Sequence, residues 1–154
     1  MRASIHYLSL LLFALPVLSA RYHIVGALPQ GDCIISTGKE KPGHPVKTGI
    51  YHEGCPPQST ILNVEPAIKR DSNTYGYVSG KSGLYIGRTK DGKHLEWVKE
   101  AYKWEFSPGA QRVYHVVRVP EKDEFWSDSG NLKPVSIIGP GVGDVYWTFE
   151  EVKG

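Results

Sequence analysis

Cysteine and methionine are scarce in this chain: Cys33 and Cys55 are its two cysteines and Met1 its one methionine among 154 residues. Two thiols are too few for a four-cysteine zinc site. His23, His44, His52, His94 and His115 form no His-Glu-x-x-His pair, so neither a metal nor another cofactor is expected. No Asn-x-Ser/Thr triplet occurs, because Asn63, Asn73 and Asn131 are followed by Val-Glu, Thr-Tyr and Leu-Lys; N-glycosylation is not expected. A Gly-x-Ser-x-Gly elbow and a phosphate loop are also missing, and the chain is not expected to be an enzyme. Charge of one sign is absent too, with 18 basic residues against 16 acidic, so nothing points to nucleic acid. Past the first 20 residues there is no long hydrophobic run, and no apolar stripe at helical spacing outlasts two turns.

What is present begins with Arg2, the apolar run YLSLLLFALPVL and the small residues Ser19 and Ala20. The run is too short to span a bilayer and no stop-transfer cluster follows, so residues 1–20 read as a secretory signal peptide. Residues 21–154 then form one secreted, extracellular domain with no membrane partner, carrying 17 basic and 16 acidic residues once Arg2 is removed. In an exported chain, Cys33 and Cys55 are expected to form a disulfide.

Short runs rich in Val, Ile, Tyr and Trp alternate with Gly, Pro, Asp and Ser, which is an all-β pattern. The pattern recurs. TILNVEP, YKWEFSP and VYWTFEE place Leu62, Trp104 and Trp147 at separations of 42 and 43, with Val64, Phe106 and Phe149 in step. RYHIV, TYGYV and VYHVV supply opening strands, matched on Tyr22, Tyr75 and Tyr114. CIIS, GLYIG and EFWS fit as second strands, and GIYH, LEWV and VSII as third strands. Three units of four strands predict a β-trefoil of twelve strands, which a generic sandwich would not, since it has no reason to repeat three times.

The repeats also expose an insertion. Second-to-third-strand spacing is 10 residues from Ile86 to Glu96 and from Trp126 to Ser136, but 15 from Ile35 to Ile50. About five extra residues therefore fall in STGKEKPGHPVKTG (36–49). If CIIS and GIYH pair about His44, Cys33 and Cys55 face each other, each 11 residues from that centre. Such a ring would remove roughly 3 kcal/mol of unfolded-chain freedom. Pro42 and Pro45 stiffen the segment. A long, stiff, lysine-bearing loop suits a protease inhibitor, because preorganisation lowers the cost of binding and a lysine matches the buried aspartate of a trypsin-like specificity pocket.

RYHIVGALPQGDCII, GLYIGRTKDGKHLEWV and YKWEFSP…VYHVV…VYWTFEEV resemble the mushroom β-trefoil serine protease inhibitors of the cospin and cnispin type over most of residues 21–154. The resemblance implies a monomeric fungal inhibitor whose partner is a trypsin-like serine protease, with its reactive loop between the second and third strands. That loop maps onto Ser36 to Thr48 and its candidates are Lys39, Glu40, Lys41, Pro42, Lys47 and Thr48. The export signal and the cysteine pair depart from the family pattern. Lys41 is a poor reactive residue because Pro42 follows it; Lys39, followed by Glu40, is preferred, and Lys47, followed by Thr48, comes next. Basic residues at Lys69 and Arg70 and in GRTKDGKH are secondary, the latter reading first as an Asp-Gly turn. Two rivals share the fold. One is a cysteine-protease inhibitor. The other is a carbohydrate-binding lectin stacking sugar on an exposed aromatic, with Trp126 beside Asp128 as its candidate platform. No tryptophan follows a Gln-x pattern, which weakens a ricin-type lectin site.

Overall fold

Side chains that alternate between a dry and a wet face set the strands. In ARYHIVG, Tyr22, Ile24 and Gly26 turn inward while the residues between them do not, and TYGYVS repeats this with Thr74, Gly76 and Val78. The computed structural model describes residues 18–28, 31–111 and 113–153; all but the last three residues of the expected signal peptide lie outside them. Among the described residues there are twelve strands and no helix. The first unit holds β1 (Ala20–Gly26), β2 (Cys33–Ile34), β3 (Thr48–Gly49) and β4 (Leu62–Glu65). The second holds β5 (Thr74–Ser79), β6 (Tyr85–Arg88), β7 (Leu95–Val98) and β8 (Trp104–Pro108), and the third β9 (His115–Arg118), β10 (Phe125–Ser127), β11 (Ser136–Ile138) and β12 (Trp147–Glu151).

First and fourth strands close a ring. β1 pairs with β4 and β12, β5 with β4 and β8, and β9 with β8 and β12, so the six-stranded barrel has no free edge. Hairpins β2–β3, β6–β7 and β10–β11 hang from β1, β5 and β9. The threefold plan is written in the backbone: Val46 N–H donates to Leu95 C=O (3.2 Å), Leu95 N–H to Val135 C=O (3.0 Å) and Val135 N–H to Val46 C=O (2.8 Å). This is a β-trefoil, as the repeats predict.

Inside the barrel Ile24, Val78 and Val117 sit across from Phe149, Val64 and Phe106. Leu62, Trp104 and Trp147 form the next layer, and the Trp104 and Trp147 indoles donate to the carbonyls of Ile86 (2.8 Å) and Trp126 (3.1 Å). Each large buried side chain contributes roughly 1.5–3 kcal/mol relative to exposure. Stability therefore lives in these layers, which frees the hairpin loops to vary.

Three expectations need correction. Tyr22 does not match Tyr75 and Tyr114: the pairs Tyr22↔Leu62, Gly76↔Trp104 and His115↔Trp147 place it with Gly76 and His115. One residue of slip reverses the face, so Tyr22 is buried while Tyr75 is 45% exposed. The third strand of unit one is VKTG rather than GIYH, since Val46 is the partner of Leu95 and Val135. Paired residues are then 14 apart in unit one (Ile34↔Thr48) and 11 apart elsewhere (Ile86↔Trp97, Trp126↔Ile137), which makes the insertion three residues, not five. Finally, the hairpin folds about Lys41, because Cys33 pairs with Gly49. The Cys33–Cys55 disulfide forms, with Cα atoms 5.9 Å apart, but it ties β2 to the turn after β3 rather than bridging facing strands.

Candidate functional site

The lysine-bearing loop spans residues 35–47 between β2 and β3, and only part of it stands free. Its second half is docked on β7: Gly43 N–H donates to Trp97 C=O (2.8 Å) and Trp97 N–H to His44 C=O (2.9 Å). Lys41 and His44 close a tight turn, with His44 N–H on Lys41 C=O (3.0 Å) and Lys41 N–H on His44 Nδ1 (3.3 Å). Gly43 has φ +89° there, a conformation in which a Cβ would be strained.

The first half is braced by Glu40. Its carboxylate accepts from the N–H groups of Thr37 (3.1 Å), Gly38 (3.0 Å) and Lys39 (3.0 Å) and from the hydroxyls of Thr37 (2.6 Å) and Ser36 (3.1 Å). Burial alone would push this carboxyl up, but the hydroxyls of Thr37 and Ser36 and the nearby backbone N–H groups outweigh it and hold the group below the usual carboxylate range. Glu40 is therefore an ionised staple. Ser36 Oγ also accepts from Lys81 N–H (2.7 Å), which fastens the loop to the β5–β6 turn.

The candidate residues consequently divide. Lys39, Lys41 and Pro42 are exposed, and Glu40 is half-buried and turned back into its own loop. The Lys47 side chain is exposed, but its carbonyl accepts from Ile35 N–H (2.9 Å). Thr48 is fully buried, its hydroxyl donating to Asp128 (3.0 Å) or to Gly130 C=O (3.1 Å). The Lys47–Thr48 peptide is thus sealed in the sheet, whereas Lys39–Glu40 lies at the surface. A cavity of about 240 Å³ opens beside it, with Lys39, Glu40, His44, Lys47 and the edge of Trp97 in its wall.

Elsewhere, the candidate sugar platform fails: Trp126 is fully buried, as are the other three tryptophans. The Asp-Gly turn forms as expected, with Gly92 N–H on Thr89 C=O (2.8 Å). Among the described residues no three His, Cys, Asp or Glu side chains gather where they could hold a metal ion. The Glu40 brace went unread, although Thr37-Gly38-Lys39-Glu40 carries the Ser/Thr-x-x-Glu spacing that lets a carboxylate reach back to preceding N–H groups. No local signal marks a second missed cluster, the carboxyls of buried Asp32 and half-buried Asp128 beside Thr48, because its members come from units one and three.

A β-trefoil with a braced, cation-bearing loop is what fold and site define together. No protein-family model matches the chain, and no curated protein matches it. Among solved structures it is similar to a ricin B-like lectin from Macrolepiota procera in complex with lactose, at TM-score 0.65 and 17% identity over 90% of this chain and 100% of that one. The likeness establishes the fold.

Proposed function

We propose that this β-trefoil is a non-enzymatic inhibitor that acts outside the cell and blocks a trypsin-like serine protease with the loop 36–42. The observation that carries the reading is the Glu40 brace: it fixes the backbone around an exposed Lys39 before any partner arrives, so little ordering cost remains at binding. Lys39 would enter an acidic specificity pocket. The left-handed Gly38 (φ +93°) and the Lys39 N–H held by Glu40 keep the segment folded onto its own carboxylate. Cleavage would require breaking the brace first, which makes the loop a poor substrate.

Two variants test this together. Lys39→Ala should weaken inhibition of trypsin at least tenfold with the thermal midpoint unchanged, because an exposed lysine contributes little to folding while a stranded pocket aspartate costs several kcal/mol, on the order of 2–5. Glu40→Ala should turn the protein into a substrate, cut after Lys39 and detected by mass spectrometry. If Lys39→Ala, Lys47→Ala and the double variant all inhibit like the wild type, the loop is not the reactive element. Wild-type protein that inhibits papain-like but not trypsin-like proteases would reassign the target class.

A second reading, carbohydrate binding, is the one that the comparison with solved structures favours, since the similar structure is a lectin holding lactose. A glycan array with the purified protein separates it from inhibition.

A further inference from the structure

A specific protein complex buries roughly 800 Å² on each partner, about 20–30 residues a side. The loop 36–42 is too short to supply that alone, so a bound protease must also rest on the surface flanking it. One flank is the cavity that Glu40 and His44 help to line. The other is a cavity of about 280 Å³ that includes Ser36 in its wall and is framed by the start of β1, the turn after Cys55, β4 and the β5–β6 turn. Its charge is one-sided: Arg21 and Lys81 line it, both exposed, and among the described residues no carboxylate does. Gln58 and Asn63 add neutral polar groups, and half-buried Ile61 adds apolar surface.

Lys81 is held at both ends. Its N–H donates to Ser36 Oγ (2.7 Å) and its ammonium to Gln58 C=O (3.1 Å). Its stem lies so near the loop that a Cβ on Gly38 would come within 3.3 Å of Lys81 Cγ, and a Cβ on Gly80 would strike Ser36 Oγ and the Trp97 ring. The loop and the β5–β6 turn are thus fitted into one surface, and much of the freedom of this lysine is lost on folding rather than on binding. An ammonium has three donors, so two remain for a partner. A cationic group would be repelled here and a neutral one would leave the charge unused, whereas a carboxylate matches it. Because Lys81 packs against Gly38, next to Lys39, a protease seated on Lys39 covers this ammonium as well. We propose that the cavity is a docking site for a carboxylate side chain, Asp or Glu, on the rim of the protease that the loop inhibits, with Lys81 as the donor and Arg21 adding positive charge. The site rests on the inhibitory reading of the loop.

The test uses the trypsin-like protease that the wild-type protein inhibits most tightly, chosen from a panel that includes trypsin. Lys81→Gln should weaken inhibition about twofold to fivefold, the range of a partly exposed ion pair. Lys81→Glu should weaken it at least about tenfold, chiefly through slower association, because it sets like charges against each other. Lys122→Glu makes the same change of charge at an exposed position in the β9–β10 turn, the third unit's counterpart, and should leave inhibition within about twofold. Thermal midpoints should stay at the wild-type value throughout, since all these positions are exposed. Equal losses for Lys81→Glu and Lys122→Glu would reduce the effect to net charge and overturn the site. Cleavage of the Lys81→Gln protein after Lys39 would make Lys81 a brace of the loop and overturn it too. Normal inhibition by both Lys81 variants overturns the site and leaves the loop standing, whereas a wild-type protein that inhibits no member of the panel removes the site and the inhibitory reading together.

Discussion

Replacing Arg118 by leucine is expected to lower the unfolding free energy by about 3–5 kcal/mol at neutral pH, the cost of stranding a buried charge. Glu105 on β8 lies directly across from Arg118 on β9 and has no exposed surface. Its Oε2 takes two N–H donors from Arg118, from Nη2 at 2.7 Å and Nε at 2.9 Å; Asn73 Nδ2 at 3.2 Å and Ser107 Oγ at 3.3 Å lie on the same oxygen. Oε1 accepts from Glu121 N–H at 3.2 Å. Burial would push this carboxyl up, but the Arg118 guanidinium and the Glu121 N–H outweigh it and hold it below the usual range. A depressed folded-state value contributes stability that is present above the ordinary carboxylate range and lost as the pH falls through it. Without Arg118 the largest group opposing burial is gone, so the ionised carboxylate is held less well. Urea unfolding should therefore show wild type and variant far apart at pH 7 and converging in acid. A loss below about 1 kcal/mol at pH 7, the size of an exposed ion pair, would show that water has replaced the guanidinium.

Threefold recurrence made the fold legible because Leu62, Trp104 and Trp147 are held to one barrel layer, and a layer position tolerates only large apolar side chains. Opening strands were less legible. Tyrosine has an apolar body and a polar tip, so it serves on either face; Tyr22 faces in and its hydroxyl oxygen accepts from the Ile68 N–H at 3.0 Å, while Tyr75 faces water. Matching tyrosine to tyrosine thus put β1 out of step by one. The hairpin centre was missed for a related reason: GIYH looks more strand-like than VKTG, yet it is Val46 that completes the backbone triangle with Leu95 and Val135. Of the candidate site, the exposed lysines and the disulfide were readable from composition and spacing. The role of Glu40 as a brace rather than a simple neighbour of Lys39 was not, since it depends on the chain curling at Gly38.

Replacing Asp32 by asparagine should stabilise the protein at pH 7.5 and above, by about 2–4 kcal/mol, and should flatten its stability across acidic pH. Asp32 is 4% exposed, and its Oδ1, like Asp128 Oδ2, is buried without a hydrogen-bond partner among the described residues. Asp128 is fixed: its Oδ1 is met by the Thr48 hydroxyl and by Gly130 N–H, both at 3.0 Å. A Cβ on Gly26 would come within 2.7 Å of Asp128 Oδ2, so glycine is what leaves room for the carboxyl. Burial first, and then the facing Asp128 carboxyl, push Asp32 up to about 7. A folded-state value raised above the unfolded one means that the native state binds more protons in between. Stability is then fully present below the ordinary carboxylate range, near pH 4, and drains away as the pH rises to about 7, at up to about 1.4 kcal/mol per pH unit. Asparagine keeps a donor toward Asp128 and carries no charge, so the drain should vanish. Thermal midpoints from pH 4 to pH 8 would show it: wild type falling through this window and Asp32→Asn level. Parallel profiles for the two proteins would mean that Asp32 is ionised in the folded state throughout.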